Sequence, residues 1–255
     1  MKINPVQFIP VTDSTNKALA RLIADNKLRN NNLNDFFAVC TDFQTSGRGQ
    51  EKNVWQSNPG ENILISLYFM PPLPPSRQFI FNRFFSLTVR KTLDKYVSGV
   101  KIKWPNDIYV NDKKIAGILI EHTIAGDTIA GTIAGVGINI NQTLFNPLLP
   151  NPTSLKLETG CHYDTAELIR EMIDIGKNDY YPLLINRQYD VLKDEYLHHL
   201  YHLNERHPYE IHGDRKNAKI IGTNDFGQLL LEDIQGTIHV CGMKEVKFLL
   251  SENNE

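Results

Sequence analysis

The sequence predicts an α+β fold in which a larger unit of helices and strands is followed by a small β-barrel. Up to about residue 207, stretches with the apolar spacing of helices occur among stretches with the alternation or β-branched content of strands. From Tyr209 onward, five short apolar runs separated by Gly, Asn or Asp recur at regular spacing, which is typical of a small barrel. We therefore expect a domain boundary at His207-Pro208, with residues 1–207 and 208–255 as the two domains.

The composition is that of an ordinary globular protein, since 41% of the 255 residues are hydrophobic and 22% are charged. A net charge of −2 gives no general attraction for nucleic acid or anionic lipid, so we expect neither DNA nor a membrane as a partner. The three cysteines are far apart and outside any Cys-x-x-Cys spacing, which indicates a reducing compartment. Because the amino terminus has no secretory signal pattern, we expect a cytoplasmic protein.

Two helices and two strands are predicted before residue 100. An amphipathic helix follows Ser14-Thr15, and either residue can cap its first turn. Residues 36–41 and 63–69 are apolar runs of the length expected for buried strands. Ser76 is predicted to cap a second helix, which extends to about Val97.

The segment 44–53 contains no apolar residue, so it cannot bury surface that would offset the entropy lost on ordering. Gly47 and Gly49 flank Arg48 and allow the backbone to fold closely around a ligand. We therefore expect this segment to be mobile without a ligand. Taken alone, the Gly-Arg-Gly sequence favours a plain surface loop over a binding loop.

The stretch Lys103-Trp104-Pro105-Asn106-Asp107 ends one predicted strand and begins a hairpin. Residues 101–104 alternate polar and apolar side chains, and the proline that follows lacks an N–H and ends the pairing. Residues 108–110 and 115–121 are predicted as two further strands around a polar turn. Because functional groups often lie at the ends of a rigid sheet, we interpret Lys103, Asn106 and Asp107 as a site that binds an anion and a metal.

The second half of the chain begins with a predicted strand at residues 128–140, which contains Gly135-Val136-Gly137. These glycines end a strand instead of opening a helix, and a third glycine is missing, so a Rossmann fingerprint is excluded. His198 and His202 have i,i+4 spacing, but no third ligand has recognisable spacing, which favours a solvated helix end over a metal site. A loop is predicted at 141–153 and helices at 164–175 and 182–199, the first of them begun by the capping sequence Asp164-x-x-Glu167. Barrel strands are predicted at 210–212, 218–222, 228–232, 237–241 and 245–250.

Four motifs occur in order along the chain: Gly47-Arg48-Gly49 followed by Trp55, Lys103 to Asp107, Lys114 to Glu121, and Gly135 to Asn139. Their order and spacing resemble those of the biotin protein ligase family, enzymes that attach biotin to a lysine of carboxylase carrier domains. The resemblance covers about residues 10–250. It implies a mixed sheet with flanking helices, similar to the catalytic core of class II aminoacyl-tRNA synthetases, and an SH3-like barrel.

The resemblance also implies a reaction in two steps: biotin and MgATP form biotinyl-5′-AMP, and the acyl group then passes to the carrier lysine. The implied biotin-binding residues are Ser14, Thr15, Asn16, Gln44, Arg48, Gly49, Gln50, Lys114 and Gly117. The implied nucleotide-binding residues are Lys103, Asn106, Asp107 and Asn139, with Asp107 also the magnesium ligand. Lys114, Arg48 and Lys103 would be catalytic, because cations lower the cost of bringing a carboxylate against a triphosphate. The segment 44–53 would then order over the adenylate as a lid that excludes water.

Two departures from the family pattern affect these expectations. Gln50-Glu51-Lys52-Asn53 stands where many family members continue with arginines, so phosphate contacts at this point are in question. The chain begins close to Ser14, which leaves no room for the amino-terminal helix-turn-helix of the repressor subtype, and we expect no DNA binding.

Other functions stay open at the level of sequence. A lipoate or octanoate ligase on a related fold is the nearest alternative; Trp104 to Asp107 and the polar Gln44 favour a ureido ligand over an aliphatic chain. A binding module without catalysis belongs to another class, and Lys103, Asp107 and Lys114 argue against it because biotin alone needs no magnesium ligand. A homodimer is compatible with the sequence.

Overall fold

The computed structural model describes residues 6–25, 34–50 and 53–249. The strands are β1 Val6–Phe8, β2 Val11–Thr12, β3 Phe37–Thr41, β4 Phe43–Gln44, β5 Ile63–Phe69, β6 Val100–Lys103, β7 Asp107–Val110, β8 Lys113–Ala125, β9 Thr128–Ile138, β10 Arg206–Ile211, β11 Asp214–Thr223, β12 Leu229–Asp233, β13 Ile238–Cys241 and β14 Val246–Phe248. The α-helices are α1 Thr15–Ala24, α2 Gln78–Asp94, α3 Leu155–Thr159, α4 Thr165–Ile175, α5 Tyr181–Ile185 and α6 Tyr189–His198. In this described part of the chain, no helix has both the length and the apolar character needed to cross a membrane.

A mixed sheet of seven strands forms the larger unit, in the order β1-β3-β5-β9-β8-β7-β6. The β1–β3 pair is parallel, and every other neighbouring pair is antiparallel. The long β8–β9 hairpin closes through a two-residue turn in which Gly126 has φ of 57°, a conformation that L-residues rarely adopt. The predicted central hairpin is confirmed as β6, β7 and β8, which form the edge of this sheet.

The middle of the sheet is buried on both faces, and all seven residues of β5 are buried. Ile65, Leu67 and Phe69 belong to the main hydrophobic core, which includes α2. The alternate residues Ser66 and Tyr68 lie against α1 on the opposite face. Because successive side chains of a strand point to opposite faces, this one strand borders two different environments.

Two predicted helix caps differ from the structure, and one is confirmed. Ser14 occupies the N-cap position of α1 but its side chain accepts no hydrogen bond from the first turn. The first helical N–H, from Thr15, donates to Gln44 Oε1 on another segment. Ser76 lies inside a short 3₁₀ turn, Pro75–Arg77, so it does not cap α2. The Asp164 side chain caps α4 as predicted.

The single helix predicted for residues 182–199 is wrong, because α5 and α6 are separate helices. Arg187 adopts φ of 57° after α5, and Gln188 N–H donates to Leu183 O at 2.8 Å. This is the hydrogen bond of a Schellman ending, in which glycine usually occupies the left-handed position. Because arginine and not glycine occupies this position, the sequence gives no indication that the helix ends here. His202 lies beyond α6 with φ of 61°, so it is not one helical turn from His198.

The carboxy-terminal strands form an antiparallel sheet of five in the order β13-β12-β11-β10-β14. It packs on the larger unit: buried Trp104 donates from Nε1 to Gly227 O at 2.8 Å, and Arg83 Nη2 donates to Thr223 Oγ1 at 3.1 Å. The first strand of this sheet begins at Arg206. The domain division at His207-Pro208 stays a prediction.

Candidate functional site

Three glycines form a flat floor on the α1 face of β8 and β9. A Cβ added to Gly137 would lie 2.4 Å from the Trp55 ring, and one added to Gly117 would lie 2.9 Å from the same ring. A Cβ on Gly135 would lie 2.1 Å from Asn16 Oδ1. Any larger residue would therefore displace a side chain of the site, which explains the glycines at alternate positions of the strands.

Polar side chains meet at one end of this floor, where α1 begins. Gln44 Oε1 accepts from the N–H of Thr15 at 2.8 Å and from its hydroxyl at 3.2 Å. Ser66 Oγ lies 2.7 Å from Thr15 Oγ1 and also contacts Asn16 Oδ1. These buried groups satisfy one another, so their donors and acceptors are held in fixed directions.

Glu121, on β8, joins this polar cluster to the Gly-Arg-Gly loop. One carboxylate oxygen accepts from Asn16 Nδ2 at 2.7 Å. The other forms an ion pair with Arg48 Nη2 at 3.0 Å. The carboxylate therefore orients two side chains from segments that are distant in sequence, which is a positioning arrangement.

A polar cavity of about 120 Å³ lies over the glycine floor. All nine residues predicted to bind biotin line it: Ser14, Thr15, Asn16, Gln44, Arg48, Gly49, Gln50, Lys114 and Gly117. The structure thus brings together residues that are up to 103 positions apart in the chain, taking Ser14 and Gly117 as the extremes (117 − 14). Their individual contacts to a ligand stay predictions.

A second cavity, of about 450 Å³, adjoins the first, and the side chains that line it are more apolar. It shares five lining residues with the first cavity, namely Asn53, Val54, Trp55, Asp107 and Lys114. Phe145 and Leu149 add apolar wall, and Asn139 adds an amide. Asn139 Oδ1 and Trp55 Nε1 are buried without a hydrogen-bond partner in the described part of the chain. The residues around this cavity therefore offer one acceptor and one donor to a ligand.

Lys114 and Asp107 lie where the two cavities meet. Lys114 Nζ is 2.7 Å from Asp107 Oδ2, and each side chain is about one third exposed, at 33% and 32%. Their backbones are held by the β7–β8 pairing, in which Lys114 lies opposite Tyr109. The pair places one cation and one anion at the point that ligands in both cavities would reach.

Lys103 and Asn106 lie outside the walls of these two cavities. Lys103 Nζ is 3.1 Å from Tyr109 Oη and sits 4.8 Å from the ring centroids of both Tyr109 and Phe248. Burial lowers the pKa of Lys103, while the Asp107 carboxylate opposes that shift. Asn106 is buried and accepts from Gln50 Nε2 at 2.8 Å, which ties the loop to the turn after β6. Their predicted phosphate contacts, and the catalytic role of Lys103, stay predictions.

Asp107 has the chemistry of a magnesium ligand. It provides the one carboxylate among the described residues that line the two cavities. Magnesium is commonly held by one or two carboxylates together with substrate phosphates, so the donor set fits the ion. In the structure this carboxylate is neutralised by Lys114.

The Gly-Arg-Gly loop packs against itself in the residues that are described. Arg48 forms an isolated bridge with Val54, and Gly49 N–H donates to Asn53 O at 2.7 Å. Residues 51 and 52 lie outside the described residues. The expected ordering of residues 44–53 over a ligand stays a prediction.

Sequence reasoning missed three residues of the site. Trp55 follows the Gly-Arg-Gly motif with no predicted role in the site, yet its ring covers Gly117 and Gly137. Ser66 and Glu121 hold the polar cluster in place. A signal for Ser66 existed, because it is the single hydroxyl within the otherwise apolar residues 63–67. Nothing in the sequence pairs Glu121 with Arg48.

Comparison with known proteins supports a common family. A model of the Biotin/lipoate A/B protein ligase family matches residues 8–139. The chain is 34% identical over 152 residues to the bifunctional ligase/repressor BirA of Bacillus subtilis, which covers 58% of this chain and 46% of that protein. It is 31% identical over 173 residues to BirA of Escherichia coli, covering 66% of this chain and 52% of that one. The chain thus spans about half the length of these curated relatives.

Solved structures share the fold along nearly the whole chain. Biotin protein ligase from Aquifex aeolicus in complex with biotin and ATP superposes with a TM-score of 0.77 at 22% identity, covering 97% of this chain and 100% of that chain. Biotin protein ligase from Leishmania major in complex with biotin gives 0.63 at 20% identity, covering 95% and 99%. These similarities confirm the predicted fold class, a mixed sheet with flanking helices and a small carboxy-terminal antiparallel sheet.

Proposed function

Because the chain belongs to the Biotin/lipoate A/B protein ligase family, we propose that it activates biotin with MgATP and transfers it to a lysine of a carrier domain. In the first step a biotin carboxylate oxygen attacks the α-phosphorus of ATP, and diphosphate leaves. In the second step the lysine amine attacks the acyl carbon, an amide forms, the proton is lost and AMP leaves. A protein of the same fold, from Aquifex aeolicus, binds both biotin and ATP.

The observation that carries this proposal is the Lys114–Asp107 pair at the junction of the two cavities. Adenylation must bring a carboxylate against a polyphosphate, and the repulsion between these anions raises the barrier. Lys114 lines both cavities, so its ammonium can neutralise the biotin carboxylate and the phosphate that it attacks. Magnesium held by Asp107 would supply further neutralisation of the phosphate charge.

The polar end of the smaller cavity favours biotin over lipoate. Thr15, Asn16, Gln44 and Ser66 present hydroxyl and amide groups there. A ureido ring offers N–H donors and a carbonyl acceptor to such groups, whereas a dithiolane ring offers neither. Sites built from buried polar groups discriminate strongly against a ligand that leaves those groups unpaired.

Arg48 and the residues next to it form one wall of the smaller cavity, and Arg48 adds a positive charge to that wall. The Arg48 guanidinium is 39% exposed and is held by Glu121, so it can reach a bound anion without losing its partner. Gly49 and Gln50 line the same cavity, and Gln50 is anchored on Asn106. Exclusion of water on this side would protect an acyl-adenylate from hydrolysis until the carrier lysine arrives.

The acceptor is the biotin carboxyl carrier domain of a carboxylase, proposed from the family resemblance. Cytoplasmic location, a homodimer and the absence of DNA binding are likewise predictions from the sequence. The nucleotide roles of Lys103, Asn106 and Asn139 belong to the same set of proposals.

Exchange of labelled diphosphate into ATP tests the first step directly. Purified protein with Mg²⁺ and ATP is expected to catalyse exchange that depends on biotin, with little exchange when lipoate replaces biotin. Exchange with lipoate alone would assign the chain to the lipoate branch of the family. Exchange with neither acid, despite measurable biotin binding, would identify a binding module without catalysis.

A further inference from the structure

Three potential metal ligands lie together at the junction of α6 and β10, two in the connecting turn and one at the start of β10, and none of them lines the two cavities. His202, Glu205 and His207 each offer one ligand atom, and these atoms all lie within 4.8 Å of one another. His207 Nε2 is 3.2 Å from Glu205 Oε2. The two imidazole rings are stacked with centroids 3.5 Å apart and planes 4° from parallel.

The backbone of the turn holds this arrangement in place. His202 and Asn204 both adopt φ of 61°, the left-handed region that residues with a Cβ rarely occupy. Glu205 N–H donates to His202 O at 3.2 Å, and Asn204 N–H donates to Ile220 O at 2.8 Å. Two left-handed residues within three positions curl the chain so that the side chains before and after them converge.

His202 and His207 are half-buried, and Glu205 is exposed. The His202 ring lies between Tyr201, at 3.7 Å between centroids, and His207. Its Nδ1 is buried and has no hydrogen-bond partner among the described residues, which is uncommon for a buried ring nitrogen. This unpartnered ring nitrogen is available to ligate a metal ion.

We propose that His202, Glu205 and His207 bind a divalent transition cation of the zinc type. Two imidazole nitrogens and one carboxylate oxygen form a ligand set that zinc accepts, with water in a fourth position. Magnesium and calcium prefer all-oxygen sites, so the ligand types separate this site from the one at Asp107. The ligand atoms of a tetrahedral zinc ion, each about 2.0–2.1 Å from the metal, lie roughly 3.3 Å apart. His207 Nε2 and Glu205 Oε2 already have about this separation, at 3.2 Å. Because the two imidazole rings are parallel, binding requires a rotation of one ring that directs both lone pairs at the ion.

The position of the cluster indicates a structural role for the ion. The turn links α6 to the first strand of the carboxy-terminal sheet. Tyr201, next to His202, donates from its hydroxyl to Asp112 Oδ1 at 2.6 Å, in the turn between β7 and β8. A bound cation would therefore fix the turn to the start of β10, next to the contact that Tyr201 makes with the β7–β8 turn.

Metal binding is tested on the full chain, produced without a histidine tag and stripped of metal. Competition with a chromophoric chelator is expected to show one zinc ion per chain, and cobalt is expected to give the visible absorption of a four- or five-coordinate site. Excess magnesium should not displace either ion. A thermal scan should show a melting temperature that rises with zinc concentration.

Matched variants locate the ion. Glu205→Gln changes a side chain that is 66% exposed, so the fold is retained, and zinc affinity is expected to fall at least tenfold. His207→Ala should abolish binding, whereas His198→Ala, a neighbouring exposed histidine, should not change it. Asp107→Asn should also leave zinc binding intact. Absence of stoichiometric zinc binding, or equal affinity in wild type and Glu205→Gln, would overturn the proposal.

Discussion

The two faces of the central strands differ in almost every respect. On the core face, Ile65, Leu67 and Phe69 of β5 pack with α2. On the opposite face the alternate residues of the neighbouring strand are Gly135 and Gly137, which leave room for the site. Successive side chains of a strand point to opposite faces of the sheet, so the same backbone hydrogen bonds hold the core face and the site face in place. Stability and ligand binding therefore depend on separate residues of the same strands.

Breaking the core face is expected to give the largest change in stability. The Phe69 ring packs edge-on against Phe36 at 4.8 Å and Phe81 at 5.1 Å between centroids. Phe69→Ala should lower the free energy of unfolding by about 3–5 kcal/mol, since it removes buried surface and leaves a cavity. Urea denaturation measures this loss. Met70→Ala, at a neighbouring exposed position, should cost far less, and equal losses would contradict the two-face comparison.

Breaking the site face should reduce activity with little change in stability. Gly137→Ala places a methyl group 2.4 Å from the rigid Trp55 ring, which must move away from the floor. We expect biotin-dependent diphosphate exchange to fall about a hundredfold, or about 2.7 kcal/mol of transition-state stabilisation.

The adjacent residue on the core face provides the matched control. Ile138 is buried in the main core and lines neither cavity, so Ile138→Val should lower the free energy of unfolding by about 0.5–1.5 kcal/mol and leave kcat of the folded enzyme near that of wild type. If Ile138→Val lost activity as severely as Gly137→Ala, the separation of the two faces would not hold.

Two successive lysines at the start of β8 allow a residue of the site to be compared with its exposed neighbour. Lys114 lines both cavities, whereas Lys113 is exposed and lies 3.7 Å from Glu158. Lys114→Ala should weaken biotin binding or adenylation at least about tenfold, because a charge-assisted contact contributes roughly 1.5–3 kcal/mol. Lys113→Ala should leave both parameters unchanged. Steady-state kinetics and biotin titration check the pair, and an unaltered Lys114→Ala enzyme would remove this lysine from the mechanism.

The smallest effect is expected at Glu121, which orients Arg48 and Asn16 from the site face. Its pair with Arg48 is 39% exposed on each side, and such pairs contribute about 0.2–1 kcal/mol. Glu121→Gln should therefore raise KM for biotin a few-fold and leave kcat close to wild type. The exposed pair Glu210–Lys247 provides a control, and Glu210→Gln should not alter KM. A large fall in kcat would instead indicate direct participation of Glu121 in the chemistry.

Local sequence signals predicted most strands of both sheets and the helices α1, α2 and α4, whereas β1, β2, β4 and α3 were not predicted. Apolar periodicity is local, so residues 63–69 and the hairpin around Asp107 could be predicted from the chain alone. The order of the motifs from Gly47 to Gly137 carried the family resemblance. Each motif supplies a particular chemical group at a fixed place in the sheet, so the motifs must occur in the same order along the chain. The residues predicted to bind biotin accordingly line one cavity.

The tertiary structure alone decided the contacts between distant segments and the exceptions to local rules. Arg187 ends a helix in a conformation usual for glycine, and Gln44, from a different segment, accepts the first N–H of α1. Trp55 covers the glycine floor and Glu121 pairs with Arg48, although nothing local connects them. Each of these depends on free energy gained when separate segments meet, and propensity or spacing within one segment contains no information about that partner.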